Sequence, residues 1–309
     1  MEDVKCENVE WLWYPFIPYG KITIIQGDPG EGKTTLVLQI IAKLTKGDAI
    51  INGESKEPIN IIYQTAEDGL SDTIKPRLVV ANADCSKVLV IDDRETPLTM
   101  LDMRLEKAIS ETGARLVVLD PIQGFLGADV DMHRANEIRP VMKHIAEIAE
   151  KYRCAVILVG HMNKNSNGKS SYRGLGSIDF QAAARSVLIV GRVKGEPEIR
   201  VVCHVKSSLA PEGKSIAFKL DKEAGFQWIG EYDVSVDDLL AADNRGQKLK
   251  EAKEFLKEIL KSGSMTQKEI SEEAENHGIK NKTLWNAKSD LKIESIKIGN
   301  QWFWMLPKE

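Results

Sequence analysis

Cysteine is scarce in this chain of 309 residues, which has only Cys6, Cys85, Cys154 and Cys203. Their spacing offers no C-x-x-C pair and none stands near a histidine at zinc-finger distance, so a thiol metal module is excluded and reduced core thiols are expected. Long apolar runs are missing as well. No stretch approaches the ~20 apolar residues that a bilayer span needs, and no basic-then-apolar leader opens the chain, so a soluble, cytoplasmic protein is expected. Internal repeats and low-complexity tracts are absent. Excess positive charge is absent too, because the net charge is -4. That charge is unevenly spread: residues 245 to 309 carry 13 Lys/Arg against 10 Asp/Glu, and the remainder 29 against 36. The length and this asymmetry predict one large domain, residues 1 to 242, and a small, mildly basic one, residues 243 to 309.

What is present is organised around G-D-P-G-E-G-K-T, Gly27 to Thr34. The pattern fits G-x-x-x-x-G-K-[ST], with Gly27, Gly30 and Gly32 letting the backbone curl around an anion. Ile22 to Gln26 before it reads as an apolar strand, and Thr35 to Leu44 behind it as a buried helix. That order makes Gly27, Asp28, Pro29, Gly30, Glu31, Gly32, Lys33, Thr34 and Thr35 a phosphate cradle at a helix N-terminus. Lys33 is expected to reach the β/γ-phosphates of ATP and Thr34 to ligate Mg²⁺.

Further strands are predicted at Ile59 to Gln64, Lys87 to Ile91, Arg115 to Leu119 and Ala155 to Gly160, alternating with helical stripes. Strands apolar on both faces and alternating with helices imply an α/β fold with a mostly parallel, doubly covered sheet. Between the second and third strands, helical spacing runs from Gly69 to Ala81, with Pro76 bending or dividing it. From Arg185 onward four strand-like runs joined by tight turns predict an antiparallel extension. The opening segment, Glu10 to Gly20, mixes Pro and Gly with five aromatics and is read as irregular; Trp11, Trp13 and Tyr14 pack in the core, stack on adenine or line a subunit contact. Ala241 to Gln247 is polar and reads as a linker. Beyond it, three helical stripes, the second opened by a Thr266/Glu269 capping box, and a ribbon turning at Gly299-Asn300 match a winged helix-turn-helix.

Asp120 ends the fourth strand and is placed to hold Mg²⁺ through water. Its successor is Pro121, so a water-activating glutamate immediately after it is excluded. Glu67, just past the second strand, is the candidate base, with Asp68 as the competing carboxylate and helix capping as the structural alternative. His161 follows the fifth strand, where it serves either as a sensor of the γ-phosphate or as a structural residue. Asn163 to Gly176 supplies Lys164, Lys169, Tyr172 and Arg173, a flexible basic stretch suited to a single-stranded DNA backbone or simply to solvent. In the tail, Lys282 and Lys288 are expected to meet duplex phosphates, with Lys280, Lys292 and Lys297 nearby.

The succession G-D-P-G-E-G-K-T, Q-T-A-E-D, L-V-V-L-D-P, V-G-H-M-N-K, Y-R-G-L-G-S and H-V-K-S-S-L-A-P resembles the RecA-like ATPases of the RepA type, a group that includes hexameric replicative helicases. The resemblance covers roughly residues 10 to 230, and the ending Q-W-F-W-M-L-P looks like the winged helix many members append. It implies a catalytic glutamate at Glu67, a sensor at His161, and a ring in which a basic residue late in the sheet reaches a neighbour's ATP. Lys206 matches that residue best, with Arg173, Arg185 and Arg192 as rivals. The expected function is an ATP-driven motor or loader on single-stranded DNA. The alternatives are an ATP-switched regulator whose winged helix reads duplex DNA and, less favoured by the polar loop after His161, a small-molecule kinase.

Overall fold

The structure, a computed structural model, describes residues 4–162, 178–221, 223–261, 263–299 and 301–307, with backbone only at 178 and 241–248. It divides into two compact units, Met1–Leu239 and Leu240–Glu309.

The first unit is built on a nine-stranded sheet. A small antiparallel hairpin, β1 (Trp11–Trp13) with β2 (Ile17–Pro18), precedes it. The chain then runs through β3 (Ile22–Gly27), α1 (Lys33–Lys46), β4 (Ile61–Thr65), α2 (Lys75–Val80), β5 (Val88–Leu89), α3 (Met103–Thr112) and β6 (Leu116–Asp120). There follow α4 (Ala135–Lys151), β7 (Ala155–His161), a short α5 (Ile178–Ala183), β8 (Ser186–Arg192), β9 (Ile199–Ser207), β10 (Ile216–Asp221) and β11 (Gly225–Glu231).

Strand order is β11-β10-β9-β8-β3-β7-β6-β4-β5, parallel from β8 to β5 and antiparallel from β8 to β11. Every residue of β3 and β6 is buried because helices cover both faces. Leu36, Ile40 and Ile41 of α1 pack on one face, and Ile138, Val141, Met142 and Ile145 of α4 on the other. Burying apolar area at roughly 25 cal/mol per Å² makes these two layers the main source of the fold's stability. The helix α1 ends on Gly47 at φ 76°, whose N–H donates to the Leu44 carbonyl while Asp48 donates to that of Lys43. Such a left-handed closure favours glycine.

Three expectations need correction. Glu10 to Gly20 is not irregular, since it forms the β1–β2 hairpin. Trp13 is fully buried and donates Nε1–H to the Ile51 carbonyl at 2.8 Å. Trp11 and Tyr14 meet edge to face at 5.2 Å and line a cleft with Gly47 and Asp48, beyond the C-terminal end of α1. A 14-residue helix is about 20 Å long, which places both rings far from the phosphate loop at its other end and rules out stacking on that site's adenine. The third strand shrinks to two residues at the sheet edge. Pro76 divides the segment after β4: a π-helical turn (Leu70–Ile74) comes first, and Pro76 occupies the opening turn of α2, where its missing N–H costs nothing.

Burial also creates a pH liability. His204 of β9 is 4% exposed, stacks on Phe16 at 4.8 Å and accepts the Gly213 N–H on Nδ1. Burial pushes its imidazole down from 6.5 to about 4. The neutral ring is therefore bound by the fold, while the unfolded chain takes up a proton near 6.5. Stability is intact above pH 6.5 and falls as pH drops toward 4. Between pH 7.5 and 5 this group should cost the unit about 2 kcal/mol. The check is the pH dependence of the urea midpoint followed by circular dichroism, and the His204→Gln protein should show a smaller acid loss.

Helix α6 (Val236–Ile259) runs through the residues read as a linker, which are helical. The second unit continues with β12 (Met265–Thr266), α7 (Gln267–Asn276), α8 (Asn281–Asp290), β13 (Glu294–Ile298) and β14 (Gln301–Met305). The strands pair in the order β12-β14-β13, and Leu256, Ile270, Leu284, Ala287 and Trp304 form a separate core. Thr266 and Glu269 make the expected reciprocal capping box.

Candidate active site

Sheet register assembles the site. Gly27 pairs with His161 and Thr65 with Asp120, so the carboxyl ends of β3, β7, β6 and β4, neighbours in that order, open on one edge. The loop after β3 crosses that edge and enters α1 through Gly30 (φ 81°) and Gly32 (φ 88°). Gly27 admits no side chain, because a Cβ there would stand 2.2 Å from the Val190 carbonyl oxygen of β8.

Lys33 is buried and donates to the carbonyls of Gly27 (2.9 Å) and Asp28 (2.8 Å). Its Nζ also lies 3.2 Å from His161 Nδ1. A protonated lysine makes Nδ1 the acceptor, which assigns the proton of neutral His161 to Nε2. Nε2 in turn faces the Glu67 carboxylate at 3.8 Å. Lys33, His161 and Glu67 thus form one line, from the buried loop to a carboxylate that is 65% exposed. Burial pushes the Lys33 ammonium down from its ordinary range, opposed by the nearby charges of Asp120, Asp28, Glu31 and Glu67.

Beside this line, Thr34 Oγ1 donates to Asp120 Oδ2 at 2.8 Å and Tyr63 donates its hydroxyl to the same oxygen at 3.2 Å. Burial raises the Asp120 carboxyl, and these two hydrogen bonds and Lys33 oppose the rise. A hydroxyl and a carboxylate side by side suit a hard cation with oxygen ligands, so Thr34 and Asp120 fit Mg²⁺. Among the described residues no cluster of three or more His, Cys, Asp or Glu could hold a metal, and an ion here would share its shell with phosphate oxygens.

The two rival carboxylates are not equivalent. Asp68 is engaged by Arg77 at 3.4 Å, whereas Glu67 points at His161. Gly124, in the turn after β6, is pressed against this segment: a Cβ there would lie 2.3 Å from that of Ala66.

Of the remaining sequence candidates, Asp28 is half-buried, Pro29 and Gly30 are exposed in the loop, and Thr35 lies in the first turn of α1. Glu31 is paired with Arg192 at 3.3 Å, and burial raises its carboxyl against that neighbour. Lys206 is elsewhere. It pairs with Val187 near the start of β8, at the amino ends of the parallel strands, and its Nζ donates to the carbonyls of Gln181, Ala182 and Ala184. It therefore cannot serve the phosphate loop of its own subunit. Lys164, Lys169, Tyr172 and Arg173 lie outside the described residues. Lys282 is exposed on α8, but Lys288 is folded back over the rings of Trp285 and Trp304. Residues missed in the sequence are Tyr63, Arg77 and the Glu31–Arg192 pair. Only Tyr63 carried a signal, as a phenol in an otherwise apolar strand that needs a hydrogen-bond partner.

The doubly covered parallel sheet, the glycine loop opening α1 and the Thr34–Asp120 pair define a RecA-like P-loop ATPase. Residues 2–167 match the AAA domain family AAA_25, and the chain belongs to that family. Among curated proteins, it is 26% identical over 148 residues to the DNA repair protein RadA of Halalkalibacterium halodurans, an alignment covering 47% of this chain and 28% of RadA. It is 24% identical over 280 residues to the mitochondrial DNA repair protein recA homolog 3 of Arabidopsis thaliana, covering 82% of this chain and 62% of that protein. The chain thus spans less than a third of RadA and under two thirds of the recA homolog. Among solved structures, an isolated ATPase domain shares the fold with a TM-score of 0.52 at 14% identity, over 69% of this chain and 85% of that one. No helix among the described residues is long and apolar enough to cross a membrane.

Proposed function

We propose that this chain is an ATP-hydrolysing motor or loader acting on single-stranded DNA, of the RepA type, that works as a homo-oligomeric ring in the cytoplasm. The observation that carries the reading is the line Lys33–His161–Glu67, which connects the phosphate-loop lysine to a free carboxylate at the mouth of the site. In this reading the loop amides and Lys33 hold the β/γ-phosphates, Glu67 takes the proton of the attacking water, and His161 reports the γ-phosphate to the segment behind it. Thr34 and Asp120 hold Mg²⁺, which neutralises charge on the phosphates when bound. The DNA-related names of RadA and the recA homolog support a DNA partner, and three helices followed by a hairpin support a winged helix-turn-helix for the second unit.

The test is ATPase turnover with and without DNA. Stimulation several-fold by a (dT)-type oligonucleotide, and not by a blunt duplex of equal length, is the expected result. Duplex-only stimulation, or turnover indifferent to DNA with duplex binding gated by ATP, would replace the motor with the ATP-switched regulator.

A further inference from the structure

Charge separates within the second unit. Residues 264 to 279, which include α7, carry Lys268 against Glu269, Glu272, Glu273 and Glu275, while residues 280 to 307 carry five lysines against Asp290 and Glu294. Two large indoles are left open on the basic side: Trp285 of α8 is 45% exposed and Trp302 of β14 is 48% exposed. A soluble domain normally buries such side chains, and half-open tryptophans ringed by lysine call for a ligand with flat apolar faces and negative charge.

The geometry makes these residues one surface. Trp285 meets the buried Trp304 edge to face at 5.1 Å. In the hairpin, Trp302 pairs with Lys297 and Trp304 with Ser295, so all four project from the same side of the ribbon. Lys288 crosses from α8 to close the seam, with its ammonium 4.7 Å from the Trp285 ring and 4.4 Å from that of Trp304, and it donates to Ser295 Oγ. The seam is thereby rigid, while Lys282 and Lys297 remain exposed beside it.

We propose that Trp285 and Trp302, flanked by Lys282 and Lys297, are a stacking surface for the bases of a single-stranded nucleic acid. The choice of ligand rests on the single-strand reading above, but the site does not depend on the ATPase chemistry. Aromatic stacking serves any base, because every base has a flat face, and each stacked ring contributes about 1–3 kcal/mol by truncation. A duplex hides those faces and should bind this surface poorly.

The experiment is fluorescence anisotropy of labelled (dT)20 with the full chain, without nucleotide, against a 20-base-pair duplex. Trp285→Ala with Trp302→Ala should weaken (dT)20 about ten-fold or more, and Trp285→Phe with Trp302→Phe should keep most of the affinity. DNA-free ATPase activity should be unchanged in both. If the alanine pair unfolds the second unit, Lys282→Glu with Lys297→Glu carries the same test, with a loss of about ten-fold expected. Unchanged (dT)20 affinity in the variant tested, or a wild-type chain that binds duplex as well as (dT)20, overturns the proposal. So does intact DNA binding together with an altered oligomeric state, which would mark a protein contact. A chain whose ATPase ignores DNA yet loses (dT)20 on these substitutions would sink the motor reading and leave this site standing.

Discussion

Glu67→Gln is expected to slow ATP hydrolysis by about 10²–10⁴ while leaving nucleotide affinity nearly intact, the range in which a positioned general base contributes. The argument is geometric. Glu67 is open to solvent at the mouth of the site and stands 3.8 Å from a histidine that touches the phosphate-loop lysine. Asp68, the adjacent acid, has a guanidinium 3.4 Å away and accepts no role from this line. Asp68→Asn should therefore cost much less, and only through the loosened Arg77. Lys33→Ala sets the other extreme, because it removes the cation facing the phosphates and should abolish binding. Fluorescent nucleotide titration separates binding from turnover. A greater loss for Asp68→Asn than for Glu67→Gln would move the base to the neighbouring residue.

Lys206 is expected to act on the next subunit's ATP, and Lys206→Ala should lower turnover by about 10³ or more, the scale on which a cation supplied in trans contributes. Lys33, Thr34, Asp120, Glu67 and His161 all come from one chain, yet charge building on the transferred phosphoryl has no second free cation among them. Arg192 is already paired with Glu31. Lys206 sits on the opposite edge of the sheet, where only a neighbour's site is within its reach. Its three bonds to carbonyls after α5 give the competing explanation, a structural brace. Mixing the Lys33→Ala and Lys206→Ala proteins distinguishes the two. The first supplies Lys206 without a usable site and the second a site without Lys206, so mixed rings should regain part of the ATPase activity. A brace would give no recovery in mixed oligomers confirmed by native mass spectrometry.

The parts of this molecule legible in the sequence are those written in consecutive residues. G-D-P-G-E-G-K-T with its flanking apolar runs fixes strand, loop and helix together, and Asp120 and His161 could be placed because each terminates an apolar run. The antiparallel extension followed from four runs separated by turns. Side-chain partnerships across the fold were not legible. Tyr63 to Asp120, Arg192 to Glu31 and Lys206 to the carbonyls after α5 join residues that neighbour one another only once the sheet has formed. The β1–β2 hairpin was hidden for a different reason: its strands are three and two residues long, too short to show an alternation against Pro15 and Pro18.

The arrangement of the sheet divides the first unit's surface into two territories. Every group assigned to the chemistry arises at the carboxyl edge, whereas the turns that lead into β6 and β8 lie at the amino edge. Gly113, at φ 61° and with open space where a side chain would grow, sits in one of those turns. A fluorophore or a short peptide tag spliced beside it would ride on the far side of the sheet from the phosphate loop, giving a handle for watching the protein work without touching the machinery that drives it.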